Sequence, residues 1–229
     1  MGQRQLPGYT GTGPGAIAPD GCAVQLWARL PIGTEIDVIA AAVRPGADLL
    51  ELGCGAGRMT HPLIERGFAV TVVDESADML AHVHGATIVH DTIENLDLGR
   101  TFDVVLLASF LVHVPDPAVR RALLDTCRRH VNEHGSVLLQ RRRHDHHEQV
   151  PRSWHAGEGL VHVLSSEEVR PGVRSVHTRI EYPDAIWTHT YLSRPLDQEQ
   201  FEAALGESGL RVQEYLSSDQ MWVRAVPAA

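Results

Sequence analysis

Three glycines at alternate positions constrain this chain more than any other feature. They close Leu49–Gly57 (LLELGCGAG), between an apolar run, Asp48–Leu52, that reads as a short strand and a run, Arg58–Arg66, that reads as a helix ended by Gly67. A strand that turns through glycines directly into a helix is a nucleotide-binding arrangement, because the backbone can approach a ligand where no Cβ intervenes. The chain up to Gln140 repeats the theme. Ala69–Val73, Thr87–His90, Phe102–Ala108 and Ser136–Gln140 read as strands, and Ser76–His84 and Asp116–Val131 as helices. Phe102–Ala108 (FDVVLLA) is apolar enough to be buried on both faces. Strands alternating with helices predict a parallel sheet with right-handed crossovers.

The spacing of the turn sorts its possible ligands. A dinucleotide fingerprint needs GxGxxG, whereas here Gly53-x-Gly55-x-Gly57 is followed by Arg58 where the third glycine would stand. Glu51, just before the turn, would repel a pyrophosphate but attract the ammonium end of an amino-acid ligand. Asp74 ends the next strand, where a carboxylate can accept both hydroxyls of a ribose. Asp91 follows the third strand and could accept from an adenine amino group. The backbone N–H of Thr92 or Ile93 could serve a ring nitrogen, and Met79 could pack on the ring face.

These elements in this order, LLELGCGAGR, VVDESADML, HDTIENL and FDVVLLASFLVHV, resemble the class I S-adenosylmethionine-dependent methyltransferases. The resemblance runs from about Asp48 to Gln140, and Leu210–Val226 suits that family's closing hairpin. It implies S-adenosylmethionine as cofactor and S-adenosylhomocysteine as product. Glu51, Gly53, Cys54, Gly55, Gly57 and Arg58 would surround the methionine part, and the carbonyl of Ala108 its amino group. Asp74 and Glu75 would take the ribose side, with Met79, Asp91, Thr92 and Ile93 at the adenine. An aromatic residue of the N-terminal region, Tyr9, would close over the ligand.

Residue by residue, plainer readings stand beside these. Glycines can serve close packing alone, Asp74-Glu75-Ser76 can cap the following helix, and Asp91 can be an ordinary loop acid. Their joint order is what points to a cofactor cradle.

The expected fold is therefore α/β: a Rossmann-like, doubly wound, seven-stranded and mostly parallel sheet with helices on both faces. A small antiparallel sheet is inserted after strand 5, from Leu160–Val169, Val173–Tyr182 and Ile186–Leu192, and resembles the cap of glycine N-methyltransferase-like enzymes. The 229 residues suit one domain. Within it, residues 1–19, rich in Gly, Pro and Thr, read as a flexible arm, 20–43 as helices and 44–140 as the cofactor-binding core. Residues 141–194 read as an irregular polar loop (through His155) and cap, and 195–229 as a helix with the closing hairpin.

Methyl transfer from a sulfonium needs alignment and exclusion of water more than covalent help. His113, after the strand Phe102–Ala108, is the candidate base or substrate contact; the alternative is a packed loop histidine. Trp27, Arg141, Arg143, Trp154 and His189 are candidate substrate contacts, with His155, Trp187 and Tyr191 as further aromatic candidates. For the stretch Arg141–Glu148, a metal site, an anion-recognition loop and a solvated polar loop are all open. The tight spacing of His144, His146 and His147 argues against the metal, and none is expected.

Composition narrows the partners. A net charge of −9 makes nucleic acid a poor partner. All twenty basic side chains counted as Lys or Arg are Arg, so lysine chemistry is excluded. No apolar run approaches a membrane span of roughly 20 residues. No signal-peptide pattern appears, and Cys22, Cys54 and Cys127 form no CxxC pair, so a cytoplasmic chain is expected. The sequence-level expectation is methyl transfer to an oxygen or nitrogen of a small molecule, in bacterial specialised metabolism, by a monomer or homodimer. The alternative is an S-adenosylmethionine-binding protein of the same fold with other chemistry or a regulatory role.

Overall fold

The computed structural model describes residues 6–228. In chain order its elements are β1 (Thr10–Thr12), α1 (Val24–Trp27), α2 (Glu35–Ala42), β2 (Asp48–Leu52), α3 (Thr60–Glu65), β3 (Ala69–Asp74), α4 (Ala77–Leu80), β4 (Thr87–His90), β5 (Phe102–Leu107), α5 (Pro117–His130), β6 (Val131–Gln140), β7 (Arg152–Ala156), β8 (Gly159–Arg170), β9 (Val173–Tyr182), β10 (Ala185–Ser193), α6 (Gln198–Glu207), β11 (Leu210–Tyr215) and β12 (Trp222–Pro227). Short 3-10 turns lie at Leu111–His113 and His144–His147.

The elements gather into two compact units. The larger takes Ile32–Arg143 and the described part of Leu196–Ala229. Its seven strands run in the order β11-β12-β6-β5-β2-β3-β4. The five from β6 to β4 are parallel, and β12 and β11 are added antiparallel. This is the expected mostly parallel α/β sheet. Leu50, Leu52, Val105, Leu107, Val137 and Leu139 face one way, onto Leu123, Leu124 and Cys127 of α5 and Phe201 and Leu205 of α6. Leu49, Val104, Leu106 and Leu138 face the other way, onto Ile36 and Ile39 of α2 and Leu63 of α3. Burial on both faces explains the apolar run Val104–Leu107 of β5, each Val or Leu contributing about 1.5–3 kcal/mol.

Side-chain caps set where two of the helices begin. The Asp116 carboxylate accepts from the Ala118 N–H with Pro117 at the first helical position, and Asp197 and Gln200 form a reciprocal capping box. β6 begins five residues before the expected Ser136, because Val131 already pairs with Phe102 and the register then shifts. Gly135 fills that irregularity: a Cβ there would lie 2.6 Å from the Asp103 carbonyl oxygen.

The smaller unit takes the described part of Met1–Pro31 and His144–Pro195. Its five antiparallel strands run in the order β1-β10-β9-β8-β7, two more than expected. Residues 1–5 of the expected flexible arm lie outside the described residues, but Thr10–Thr12 pair with Thr188–Thr190. The glycines there serve close approach, not flexibility. A Cβ on Gly11 would sit 1.9 Å from the Gly21 carbonyl oxygen. The other added strand, β7, occupies part of the expected irregular loop and forms a hairpin with β8 through Gly157 and Glu158. Ala23, Leu26, Ile180, Tyr182 and Trp187 form this unit's apolar cluster. The grouping into two units, where one domain was expected, follows from two sheets that share no ladder. Among the described residues, no helix is long and apolar enough to cross a membrane.

Candidate functional site

The carboxyl ends of β2, β3, β4, β5 and β6 form one edge of the large sheet, the edge at which open parallel sheets bind ligands. Gly53, Gly55 and Gly57 turn the chain from β2 towards α3 with φ of 73°, 56° and 83°. L side chains seldom adopt that region. A Cβ on Gly53 would lie 2.8 Å from Leu111 Cδ1. Met79 packs beneath the turn, its sulfur 4.0 Å from where a Gly55 Cβ would stand.

Glu51 lies under this turn, 1% exposed. Thr60 donates its hydroxyl to Glu51 Oε2 at 2.6 Å. Oε1 is fully enclosed and has no hydrogen-bond partner. Burial pushes the carboxyl up to about 7. The Thr60 hydrogen bond and the charge of Arg58 pull against that rise, while Asp74 adds to it. Burial, Glu51 and Asp74 together also raise the Cys54 thiol.

Asp74 is oriented by backbone. Its Oδ2 accepts from Gly55 N–H at 2.8 Å and its Oδ1 from Ser76 N–H at 2.9 Å. These bonds lock the strand end to the glycine turn, and a carboxylate with about four acceptor positions can take hydroxyls as well. Glu75 beside it is exposed, its carbonyl met by His90 Nε2 at 3.0 Å. The Asp91 Oδ1 accepts from the Thr92 N–H at 2.8 Å, which engages Thr92's donor within the loop and leaves the Ile93 N–H as the other expected donor. The Ile93 carbonyl accepts from Thr126 of α5, which fastens the loop to the core.

The chain after β5 is strained. Ser109 and Phe110 are successive non-glycine residues with φ of 52° and 64°. Each such residue costs of order 1–3 kcal/mol. Gln140, the last residue of β6, accepts from the Ser109 N–H at 2.9 Å. Arg120 of α5 donates to the carbonyls of Val112 at 2.8 Å and Val114 at 2.6 Å. The Ala108 carbonyl accepts from Leu111 N–H at 3.2 Å. It retains a second lone pair.

Several expected contacts have other partners. Arg58 pairs with Glu35 at 2.8 Å, tying the turn to α2. His113 is 3% exposed, and its Nε2 accepts from the Arg142 N–H at 2.8 Å. The lone pair a base would use is thus occupied, which corrects the expectation of a base and favours the packed loop histidine. Arg141 is buried, donates to the Leu196 carbonyl at 3.1 Å and lies over the Phe201 ring. Its Nε is buried without a partner. Arg143 is exposed.

Tyr9, Trp27, Trp154, His155, Trp187, His189 and Tyr191 belong to the smaller unit. The Tyr9 hydroxyl donates to the Leu192 carbonyl at 3.4 Å, and burial together with Asp20 pushes it up to about 12. His189 Nε2 donates to the Asp20 carbonyl at 3.0 Å, and burial lowers its pKa. Trp187 is core, donating to the Pro14 carbonyl at 3.0 Å. Trp27 is half-buried, and Trp154 is 45% exposed on β7. In the Arg/His-rich stretch, Arg152 donates to His146 Nε2 at 2.6 Å, and His147 Nε2 meets Ser193 Oγ at 3.2 Å. Among the described residues, no group of three His, Cys, Asp or Glu side chains is arranged to hold a metal ion.

Thr60, Arg120 and Gln140 belong to this edge without having been expected there. Gln140 carried a signal: it is a polar residue ending an otherwise apolar strand at the ligand edge.

Three kinds of relative match the chain. A family model described as a methyltransferase domain matches residues 25–215. The ubiquinone biosynthesis O-methyltransferase of Rickettsia conorii is 27% identical over 132 residues, covering 54% of this chain and 44% of that protein. The chain thus spans about half the length, or less, of the curated relatives it matches. Among solved structures, an S-adenosylmethionine-dependent methyltransferase from Clostridium acetobutylicum superposes with a TM-score of 0.70 at 16% identity, covering 91% of this chain and 93% of that one. Streptomyces venezuelae DesVI gives 0.67 at 22% identity, covering 88% and 92%. At these identities the likeness concerns the fold.

Proposed function

The chain belongs to the methyltransferase-domain family, of the class I S-adenosylmethionine-dependent type, and on that premise we propose that it transfers a methyl group from S-adenosylmethionine to a hydroxyl or amino group of a small molecule. The observation that carries this reading is Glu51 Oε1, an enclosed oxygen without a partner beneath a glycine turn. A buried acceptor left unmade is costly, and a donor from a ligand would relieve it. The ammonium end of S-adenosylmethionine is such a donor, with the Ala108 carbonyl as a second acceptor. Ribose hydroxyls would reach Asp74, and the adenine would meet the loop of Asp91 and Ile93. A dinucleotide suits this cradle less well, because its pyrophosphate would meet the Glu51 carboxylate.

The cofactor supplies an activated methyl carbon on sulfur. The chain's own residues hold and orient. Glu51 fixes the amino-acid end, and Asp74 fixes both the ribose and the glycine turn. Arg120 and Gln140 keep the strained segment after β5 in place. A positioned methyl and nucleophile with water excluded is most of what the reaction requires.

The net charge of −9 supports a small-molecule acceptor over nucleic acid. Cys22, Cys54 and Cys127, buried and outside any disulfide, support a reducing, cytoplasmic setting. The test is formation of S-adenosylhomocysteine, read by mass spectrometry, from S-adenosylmethionine and a panel of hydroxyl and amino acceptors. Acceptor-dependent product is expected from the wild type. Cofactor binding with no turnover on any acceptor would point to a binding or regulatory protein.

A further inference from the structure

We propose that Gln140 selects a phenolic or enolic hydroxyl as acceptor, by donating a carboxamide N–H to the oxygen that receives the methyl group. The inference rests on the methyltransferase reading above and narrows its acceptor.

Strand order gives the place. The glycine turn follows β2, the ribose acid ends β3, and the adenine loop follows β4, so the cofactor extends from β2 towards β4. The other flank of the same edge is formed by the ends of β5 and β6. Gln140 ends β6, pairs with Trp222, and is 5% exposed.

Its orientation is fixed by chemistry. The Ser109 N–H can only meet the carboxamide oxygen, so Oε1 is the atom at 2.9 Å and the NH2 group occupies the other arm. Nε2 has no partner among the described residues, and it is not among the fully enclosed unpaired atoms, so an incoming group can reach it. A nearly buried donor with its partner missing discriminates strongly, because a ligand that cannot accept leaves it unsatisfied.

Donation at the reacting atom separates oxygen from nitrogen. A phenolic oxygen can accept one hydrogen bond and keep a lone pair for the methyl carbon. A neutral amine has a single lone pair, and a hydrogen bond to it blocks attack. Proton removal narrows the class further. Gln140 cannot take a proton, and the Nε2 lone pair of His113 is engaged by the Arg142 N–H. With neither of these two residues able to take it, the proton passes to water, which suits a phenol ionising at about 10 as tyrosine does. The phenolate oxygen then bonds the methyl carbon as the carbon–sulfur bond breaks, and that electron pair stays on sulfur. Beside Ser109, the Arg142 guanidinium lies 3.6 Å above the Phe110 ring.

The test uses Gln140→Glu, which keeps an oxygen for the Ser109 N–H and replaces the donor arm with an acceptor. Catechol and benzylamine are titrated calorimetrically into the full chain loaded with S-adenosylhomocysteine. The wild type is expected to bind catechol at least tenfold more tightly than benzylamine. The variant, saturated with S-adenosylhomocysteine at its own measured dissociation constant, is expected to lose at least tenfold for catechol. Equal catechol affinity in the two chains, or a wild type that prefers benzylamine or binds neither probe, would overturn the proposal. The wild-type comparison decides it alone should the variant fail to fold. A wild type that binds no S-adenosylhomocysteine would instead defeat the parent methyltransferase reading, and this proposal with it.

Discussion

Replacing Glu51 by Gln should change how stability depends on pH, and the size of the change follows from the burial of one carboxyl. In the ligand-free fold Glu51 is held at about 7, against its ordinary 4.5, chiefly by loss of water. Its folded value lies above its unfolded value, so between these two the native state binds more protons than the unfolded state. Stability is then fully present below pH 4.5 and falls as pH rises to about 7. The interval, at about 1.4 kcal/mol per pH unit, corresponds to about 3 kcal/mol. The glutamine of the variant would keep the Thr60 hydrogen bond and would not titrate. Urea unfolding of both ligand-free chains from pH 4.5 to 8 is the assay. The wild type should lose about 3 kcal/mol relative to the variant by pH 7, then run parallel to it. Profiles parallel across the whole range would mean that Glu51 is solvated or paired, contrary to its enclosure here. A ligand ammonium requires the ionised form, so wild-type affinity for S-adenosylhomocysteine should also rise about tenfold per pH unit up to about pH 7. The variant should bind more weakly and show no such slope.

Other perturbations probe the rest of the edge. Asp74→Ala removes two backbone hydrogen bonds to a charged acceptor along with the ribose contact, and should weaken S-adenosylhomocysteine binding by tenfold to a hundredfold, read by calorimetry. Gly53→Ala sets a Cβ 2.8 Å from Leu111 Cδ1 at a φ of 73°. It should cost about 1–3 kcal/mol in urea unfolding while lowering cofactor affinity. Arg120→Leu leaves the Val112 and Val114 carbonyls without their guanidinium donor. It should destabilise by about 2–5 kcal/mol and speed amide exchange across Leu111–His113.

The large sheet was legible because its signals are local and repetitive. β2 and β4 fall on the expected residues, and β5 ends within one residue of them; in β2 and β5 the signal is an apolar run buried on both faces, and in β4, an exposed edge strand, it is the β-branched Thr87-Ile88-Val89. The glycine turn, Glu51 and Asp74 were legible for a related reason: a tight turn flanked by acids has few structural uses. β1 was hidden because glycine signals freedom in a sequence, yet Gly11 is needed for contact with the Gly21 carbonyl. β7 was hidden by a polar neighbourhood that masked the Gly157-Glu158 hairpin turn. The partners of His113, Arg58 and Arg141 could not be read at all. Each is set by a residue brought in from elsewhere in the fold, and a pattern of residue types says where such a side chain begins, not what it meets.

At the centre stands the proposal that the glycine turn, with Glu51 and Asp74, forms a cradle for S-adenosylmethionine and its product. Calorimetric titration of the wild-type chain with S-adenosylhomocysteine at pH 8, with NADH in parallel, tests it most directly. One site per chain is predicted, with a micromolar dissociation constant for S-adenosylhomocysteine and no heat from NADH. Absence of S-adenosylhomocysteine binding, or tighter binding of NADH, would contradict it.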